Sequence, residues 1–232
     1  MILEVKDLNA WYGKSHILRG VSFNVKPGEI LAMLGRNGVG RSTTVKALMG
    51  DVEKTGEITF EGNRIDNLPT HEIARLGIGC VPEDRQVFPT LTVHQNLIMG
   101  LQSQGRDDGW TPDDAFQLFP RLAERAGTEA GSLSGGEQQL LTMMRTLMGN
   151  PKLILIDEPT EGLAPRMVAQ VKDLILEIAR RGTSVVLVEQ KLTVALKIAN
   201  RVLVMGHGSI VFEGTPADLA AREDVRRDYI EV

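Results

Sequence analysis

The sequence predicts an α/β protein with a mixed sheet core, an N-terminal antiparallel β region and a helical subdomain. Three observations carry this prediction. Apolar and polar residues alternate near the N-terminus, as in half-buried strands. After Pro151, short apolar runs alternate with helical stretches, which is typical of a parallel sheet covered by helices. Between these regions, from Val93 to Gly149, strand signals fade and helical periodicity replaces them.

The strand predictions rest on alternation or on short apolar runs bounded by turn residues. Pro27-Gly28 marks a turn after the second strand, and Pro82 ends a later one. The apolar run that ends at Leu34 leads directly into a glycine-rich loop. The predicted strands cover residues 2–8, 21–25, 29–34, 57–60, 78–81, 153–156 and 185–188.

Helical spacing predicts helices over residues 41–49, 135–148 and 168–179. The segment 102–112 is polar and contains two glycines, so it is predicted as a loop. Because the sheet pattern resumes after the helical stretch, we expect one domain over residues 1–232, with a helical subdomain inserted at roughly 84–149.

Composition narrows the class of protein. A hydrophobic content of 42% over 232 residues supports one sizeable core, and a net charge of -4 argues against a nucleic-acid-binding surface. Cys80 is the single cysteine, so no internal disulfide can form; its strand position predicts a buried core residue. We find no signal peptide or membrane-spanning run, so a role at a membrane would require a partner.

The strongest local signal is GRNGVGRST, residues 35–43. It follows a predicted strand and opens a predicted helix, the context of a phosphate-binding P-loop. Consecutive backbone N–H groups in such a loop form a cradle for anions, and the helix N-terminus adds its positive dipole end. Ser42 offers a hydroxyl to Mg²⁺, and Thr43 offers one to phosphate.

Arg41 departs from the usual pattern, which has lysine at this position. Arginine keeps the positive charge but presents a larger planar fork, so the exchange is not conservative at a tight site. Two interpretations stay open from this motif alone: nucleotide binding, or a glycine-rich strand-to-helix turn without a ligand.

Two further motifs carry chemistry. LILIDEP, residues 153–159, is an apolar strand that ends in Asp157, which can hold Mg²⁺, and Glu158, which can polarise an attacking water. The alternative is a buried strand capped by a solvated acidic turn.

LSGGEQQ, residues 133–139, places Ser134 as an N-cap before two glycines whose N–H groups can approach an anion. An ordinary helix start explains the serine, but it does not explain two successive glycines.

Together, in this order and at this separation, these motifs resemble the ABC ATPases, the nucleotide-binding subunits of ABC transporters. The resemblance covers essentially the whole chain and implies the P-loop ABC ATPase fold, with ATP and Mg²⁺ as cofactors. It implies that Tyr12 stacks on adenine and that Glu158, Gln190 and Arg41 act in catalysis. The implied ATP-binding residues of the loop are Gly35, Arg36, Asn37, Gly38, Val39, Gly40, Arg41, Ser42, Thr43 and Thr44. The implied signature residues, which act on a partner's nucleotide, are Ser134, Gly135, Gly136 and Glu137, and the implied Mg²⁺ residues are Ser42, Asp157 and Glu83.

Glu83 and Gln190 depart from the general family pattern, which has glutamine and histidine at these positions. With DEPTEGLAP and the FPRL of residues 119–122, they resemble one branch of the family. That branch serves importers of branched-chain or hydrophobic amino acids, and close relatives serve urea and short amides.

The resemblance also implies partners. Two ATPase subunits, identical or homologous, would pair head to tail on separate permease subunits at the cytoplasmic face of the inner membrane. A periplasmic binding protein would act indirectly, and no nucleic acid is expected. A kinase or GTPase has no use for LSGGEQQ, and a soluble ABC protein acting on DNA or ribosomes usually has paired cassettes. A subunit that binds ATP but hydrolyses it little remains an alternative, because of Arg41 and Gln190.

Overall fold

An antiparallel sheet forms the N-terminal part of the computed structural model, which describes residues 1–101 and 109–231. Its strand order is β2-β1-β4-β5, and its strands are β1 (Leu3–Tyr12), β2 (Ser15–Val25), β4 (Glu53–Phe60) and β5 (Asn63–Arg64). Val5 pairs with Phe23 on one side and with Ile58 on the other, and all three side chains are buried. The sequence pattern thus identified β1, β2 and β4 but underestimated their length, and it did not predict β5.

The second sheet has the order β10-β9-β3-β8-β7-β6. Its strands are β3 (Ile30–Leu34), β6 (Ile78–Val81), β7 (Leu153–Asp157), β8 (Ser184–Glu189), β9 (Arg201–Gly206) and β10 (Ser209–Gly214). The first five pair in parallel, whereas β10 pairs antiparallel to β9, which confirms the predicted mixed sheet. Strands β3, β7 and β8 are buried along their whole length, because helices cover both faces of a parallel sheet.

Helices pack around this sheet. The predicted helix after the glycine-rich loop is α1 (Arg41–Leu48), and α7 (Pro165–Arg180) packs against β8. The described residues between β5 and β7, apart from β6, contribute five helices and one 3-10 turn at Ala130–Ser132. The helices are α2 (Thr70–Arg75), α3 (Val93–Met99), α4 (Pro112–Leu118), α5 (Pro120–Glu124) and α6 (Gly135–Leu147). Leu140 and Met144 of α6 join the same apolar cluster as Ile154 and Ile156 of β7. Most of the predicted loop at 102–112 lies outside the described residues.

The C-terminal elements had no counterpart in the sequence prediction. They comprise α8 (Leu192–Ile198), β9, β10, α9 (Pro216–Ala221) and α10 (Glu223–Tyr229). Leu219, Val225 and Ile230 form a small apolar cluster with Leu34 of β3, which brings the end of the chain next to the glycine-rich loop. Within the described ranges, no helix combines the length and the apolar character that crossing a membrane requires.

Candidate functional site

The glycine-rich loop runs from the end of β3 to the start of α1. Gly40 precedes α1 with φ of 110°, in the left-handed region, and no side chain caps the helix there. A Cβ atom at Gly40 would lie 2.7 Å from Leu18 Cδ2, so glycine is required for space as well as for conformation. A Cβ atom at Gly38 would meet nothing within 4 Å, so this part of the loop is open. The loop therefore has the form of an anion cradle.

A cleft of about 380 Å³ lies over this loop. Tyr12 is at its side and is 46% exposed, as a residue that stacks on a ligand's ring must be. Val39 and Thr44, which were predicted as ATP-binding, are not among its lining residues; Thr44 is buried and donates its hydroxyl to the Gly40 carbonyl over 3.0 Å. The residues that line the cleft are Tyr12, Ile17, Asn37, Gly38, Gly40, Arg41, Ser42, Thr43, Glu83, Glu158 and Glu161.

Arg36 makes contacts that the sequence did not predict. Its backbone N–H donates to the Tyr229 carbonyl over 3.1 Å, and its guanidinium donates to the carbonyls of Arg227, at 3.0 Å, and Glu231. These acceptors belong to the end of α10 and the residues after it. Its backbone N–H and its guanidinium thus bind the C-terminal segment, and the predicted role of Arg36 in ATP binding stays a prediction. Sequence reasoning missed this role because the partner lies far along the chain.

Arg41 forms a buried ion pair with Glu158. Its Nη2 lies 2.6 Å from Glu158 Oε1 and 3.0 Å from Asn37 Oδ1, and the Arg41 and Glu158 side chains are 4% and 9% exposed. Arg41 Nη1 is buried and finds no hydrogen-bond partner within residues 1–101 and 109–231. A buried donor without an acceptor is costly, so this nitrogen is suited to an incoming anionic oxygen. Burial raises the pKa of the Glu158 carboxyl to about 7, against the opposing effect of the Arg41 charge.

Oxygen ligands suited to a hard cation collect beside the loop. Ser42 donates its hydroxyl to Asp157 Oδ1 over 3.1 Å, and Asp157 is only 5% exposed. Burial raises the pKa of Asp157, although the hydrogen bond from Ser42 and nearby cations lower it. Carboxylate oxygens of Glu83, Glu158 and Glu161 lie within 4.8 Å of one another. Neighbouring carboxylates disfavour one another's ionisation unless a cation is present, so these residues fit Mg²⁺.

Glu161 is a site residue that sequence reasoning did not select. It lies in the turn after β7, where its N–H donates to the Glu158 carbonyl over 3.2 Å. Its spacing of three residues from Glu158 was the available signal, because a tight turn brings such residues together.

Gln190 follows directly after β8, but it is not one of the described residues that line the cleft. Its neighbour Glu189 is 2% exposed and accepts the Thr160 N–H over 3.3 Å. Lys191 Nζ donates to the Thr160 carbonyl over 3.2 Å. These two contacts fasten the end of β8 to the turn after β7, and the catalytic role of Gln190 stays a prediction.

The LSGGEQQ segment forms the N-terminus of α6. Ser134 Oγ and the Glu137 N–H make a 3.4 Å hydrogen bond, and Glu137 Oε2 accepts the Ser134 N–H over 2.9 Å, so the two residues form a capping box. Both glycines are closely packed: a Cβ at Gly135 would lie 2.3 Å from Arg85 Nη1, and one at Gly136 would lie 2.7 Å from Met167 Cγ, so a larger residue at either position would displace these side chains. Ser134 and Glu137 line a different cleft from the one over the glycine-rich loop.

The mixed sheet, the cradle at the strand-to-helix turn and the acidic end of β7 define the class of P-loop nucleotide-binding proteins. Comparison with known proteins narrows the class. The family model described as "ABC transporter" matches residues 18–161. The chain belongs to this family, and it is an ATP-binding cassette with ATPase chemistry.

Individual relatives cover nearly the full chain. The "High-affinity branched-chain amino acid transport ATP-binding protein BraG" of Pseudomonas aeruginosa is 43% identical over 231 residues, 99% of each chain. The "Lipopolysaccharide export system ATP-binding protein LptB" of Escherichia coli strain K12 is 34% identical, over 98% of this chain and 96% of LptB. A nucleotide-free ATP-binding cassette from an ABC transporter superposes with a TM-score of 0.84 at 28% identity, over 97% of this chain and 96% of that structure.

Proposed function

We propose that this chain is the ATP-hydrolysing subunit of an ABC importer that powers uptake of branched-chain or hydrophobic amino acids through separate permease subunits. The observation that carries the proposal is the 43% identity to BraG over 99% of both chains. LptB, whose name gives a different cargo and the opposite direction, is more distant at 34% identity. Urea or short-amide uptake by the same kind of subunit is the alternative within the branch.

In this proposal the loop amides of residues 38–43 and Arg41 bind the phosphates, and Tyr12 stacks on the adenine. Ser42 and Asp157 hold Mg²⁺, with Glu83 beside them; the ion would neutralise charge on the phosphate oxygens. Glu158 is the base that orients the attacking water, and Gln190 contacts the γ-phosphate or that water. Support comes from the shared cleft of Tyr12, Arg41 and Glu158 and from the Ser42–Asp157 contact of 3.1 Å.

We further propose that two such subunits pair head to tail. The Ser134–Glu137 segment would then complete the site of the partner's nucleotide. The separation of this segment from its own chain's cleft supports this arrangement, because the N-terminus of a helix is suited to binding an anion. The chain would act as one domain, since α6 and β7 share an apolar cluster.

Permease subunits would dock beside the loop that follows β6. A groove of about 420 Å³ there includes Phe88, Met99 and Arg145 among its lining residues. Phe88 and Met99 are 45% and 60% exposed, and Ile98 and Leu101 nearby are each 45% exposed. Clustered exposed apolar side chains are typical of a surface that a protein partner covers. Such docking would hold the chain at the cytoplasmic face of the membrane, with a periplasmic binding protein acting indirectly.

The test of hydrolysis compares phosphate release and equilibrium ATP binding for the wild type, Glu158→Gln and Arg41→Ala. We expect measurable turnover by the wild type, a loss of at least about 100-fold in Glu158→Gln, and retained ATP binding in that variant. If all three proteins are equally inactive while the wild type binds ATP, the chain is an ATP-binding subunit with little hydrolysis of its own.

The test of cargo measures uptake of labelled leucine, valine, urea and acetamide by cells with and without the gene. Restoration of leucine and valine uptake by the wild-type gene, but not by the Glu158→Gln gene, is the expected result. Restoration of urea or acetamide uptake alone would replace the amino-acid assignment, and no effect on any of them would refute both.

A further inference from the structure

Arg85 lies between two segments that the proposed mechanism assigns to different nucleotides. It belongs to the loop after β6 and has φ of 48°, in the left-handed region that side chains other than glycine rarely adopt. Its Nη2 donates to the backbone carbonyl of Glu161 over 2.8 Å. A non-glycine residue in this conformation requires support from its surroundings, and the bond to Glu161 supplies part of that support.

The guanidinium also occupies space that two glycines leave open. A Cβ atom at Gly135 would lie 2.3 Å from Arg85 Nη1 and 3.3 Å from its Cζ, and one at Gly162 would lie 3.4 Å from Nη2. The arginine fork thus touches the first residue of α6 and the turn after β7 at the same time. A rigid planar fork with several donors can hold two segments in a fixed relative position, whereas a compact ammonium on a flexible stem does so less well.

The electrostatics of the position argue against a purely stabilising role. The N-terminus of α6 carries a partial positive charge, and anions rather than cations stabilise such a terminus. Arg85 therefore stabilises this helix end less than an uncharged residue would. Its useful contacts are the carbonyl of Glu161 and the close packing against Gly135.

We propose that Arg85 is a positioning residue that links the signature segment to the acidic turn of the same chain. This inference rests on the proposed head-to-tail pairing, in which Gly135 acts on the partner's nucleotide while Glu161 lies beside the chain's own Glu158. The carboxylates of Glu161, Glu158 and Glu83 lie within 4.8 Å of one another, so a shift of the turn changes the arrangement of the base. Arg85 transmits the position of the signature segment to that turn, and it does not itself touch the nucleotide.

The test is a comparison of Arg85→Ala, Arg85→Lys and Arg85→Gln with wild type. Each variant is measured for its dissociation constant for Mg-ATP, its kcat for phosphate release and its melting temperature. Arg64→Ala is the matched control, because Arg64 is an exposed arginine of the antiparallel sheet that also forms ion pairs, with Glu57 and Asp66, but does not line the cleft.

We expect Arg85→Ala to lower kcat about tenfold or more while the dissociation constant changes less than about twofold, because the effect is on the arrangement of the base rather than on phosphate binding. Arg85→Lys stays closer to Arg85→Ala than to wild type, since the compact ammonium lacks the planar fork that contacts both segments. Arg64→Ala leaves both quantities unchanged.

Three results would overturn the inference: an unchanged kcat in Arg85→Ala, full recovery by Arg85→Lys, or a joint loss of ATP binding, kcat and melting temperature. If Arg85→Ala does not fold, Arg85→Gln decides in the same way, because its shorter amide cannot span both contacts. Failure of the proposed function gives a different pattern, in which wild type itself neither hydrolyses ATP nor dimerises with Mg-ATP.

Discussion

Arg41 Nη2 lies 2.6 Å from Glu158 Oε1, and both side chains are almost completely buried. The cationic side chain of the glycine-rich loop and the proposed catalytic base therefore form a direct ion pair. Lysine, the usual residue at this position, is a compact point charge, whereas the arginine fork can bond Glu158 and Asn37 through one nitrogen and keep another for a ligand. The substitution at this position thus has a defined structural consequence.

The first prediction concerns Arg41→Lys. We expect this variant to keep or raise the rate of ATP hydrolysis, because lysine retains the charge and leaves the carboxylate of Glu158 less constrained. The measurement is phosphate release at saturating Mg-ATP, with Arg41→Ala as the variant that removes the charge. A loss of more than about tenfold, equivalent to about 1.4 kcal/mol in the activation barrier, would mean that the site has been rebuilt around arginine.

The second prediction concerns Arg36, which joins the glycine-rich loop to the end of α10. Arg36→Ala removes the guanidinium that bonds the carbonyls of Arg227 and Glu231. Each hydrogen bond from a charged group contributes about 1.5–3 kcal/mol, so we expect a lower melting temperature and a rise of about threefold to tenfold in KM for ATP. kcat should change less than about twofold, because no reacting atom is involved.

The control for Arg36 is Arg75→Ala, since Arg75 is an exposed arginine on α2. It should leave KM and melting temperature at their wild-type values. A loss of kcat with unchanged KM in Arg36→Ala would place Arg36 in the chemical step and contradict the role assigned to it here.

The third prediction concerns the single cysteine. Cys80 was expected in the core, but it is only partly buried and lies on the edge strand β6 beside the cleft of Ser42 and Asp157. Burial raises the pKa of the Cys80 thiol to about 12, and the charges of Asp157 and Asp51 add to this effect. Only the thiolate reacts with a disulfide reagent, and the higher nucleophilicity of a more basic thiolate offsets only part of its smaller population. The raised pKa should therefore slow the reaction at least about tenfold at pH 8.

The reaction rate of Cys80 is measured with an aromatic disulfide reagent that releases a chromophore when a thiolate attacks it. The native chain and the urea-unfolded chain are compared at the same pH. Because there is one cysteine, the signal reports one site. The rate on native protein should rise with pH well beyond pH 9, since the raised pKa keeps the thiol protonated until then. Equal rates for the native and unfolded chains would show that folding does not raise the pKa of the Cys80 thiol.

The fourth prediction concerns Arg201, at the start of β9. Its guanidinium binds both carboxylate oxygens of Glu29, at 2.9 and 3.1 Å, and Asn24 at the end of β2, so it fastens the antiparallel sheet to the mixed sheet. Glu29 is 7% exposed. Arg201→Ala leaves that carboxylate buried without its cation, and we expect the free energy of unfolding to fall by about 3–5 kcal/mol.

Urea denaturation measures this change, with Arg64→Ala as the exposed counterpart. The Arg64 side chain is 58% exposed, so its loss should lower the free energy of unfolding much less than the loss of Arg201 does. Equal effects of the two substitutions would show that Arg201 does not join the sheets.

Much of the local structure could be predicted from the sequence. The strands β3, β6, β7 and β8, the helix α1 and the cap of α6 at Ser134 follow from apolar runs, glycine-rich turns and capping residues. Each of these signals lies within a few residues of the element it describes. The sequence prediction gave no bounds for the elements after Val188, although β9 is as apolar as its neighbours.

The order of residues therefore specified the glycine-rich cradle, the two carboxylates after the apolar strand and the serine-glycine helix start, since these depend on local conformation and short-range hydrogen bonding. The contacts that give the site its particular character arise only in the folded chain. Arg41 and Glu158 are 117 positions apart, and Arg36 is 195 positions from Glu231. Such pairs form because strands β3 and β7 both pair with β8, and because the C-terminal elements pack beside β3. No periodicity encodes which strand will lie beside which, so only the tertiary structure could decide these partners.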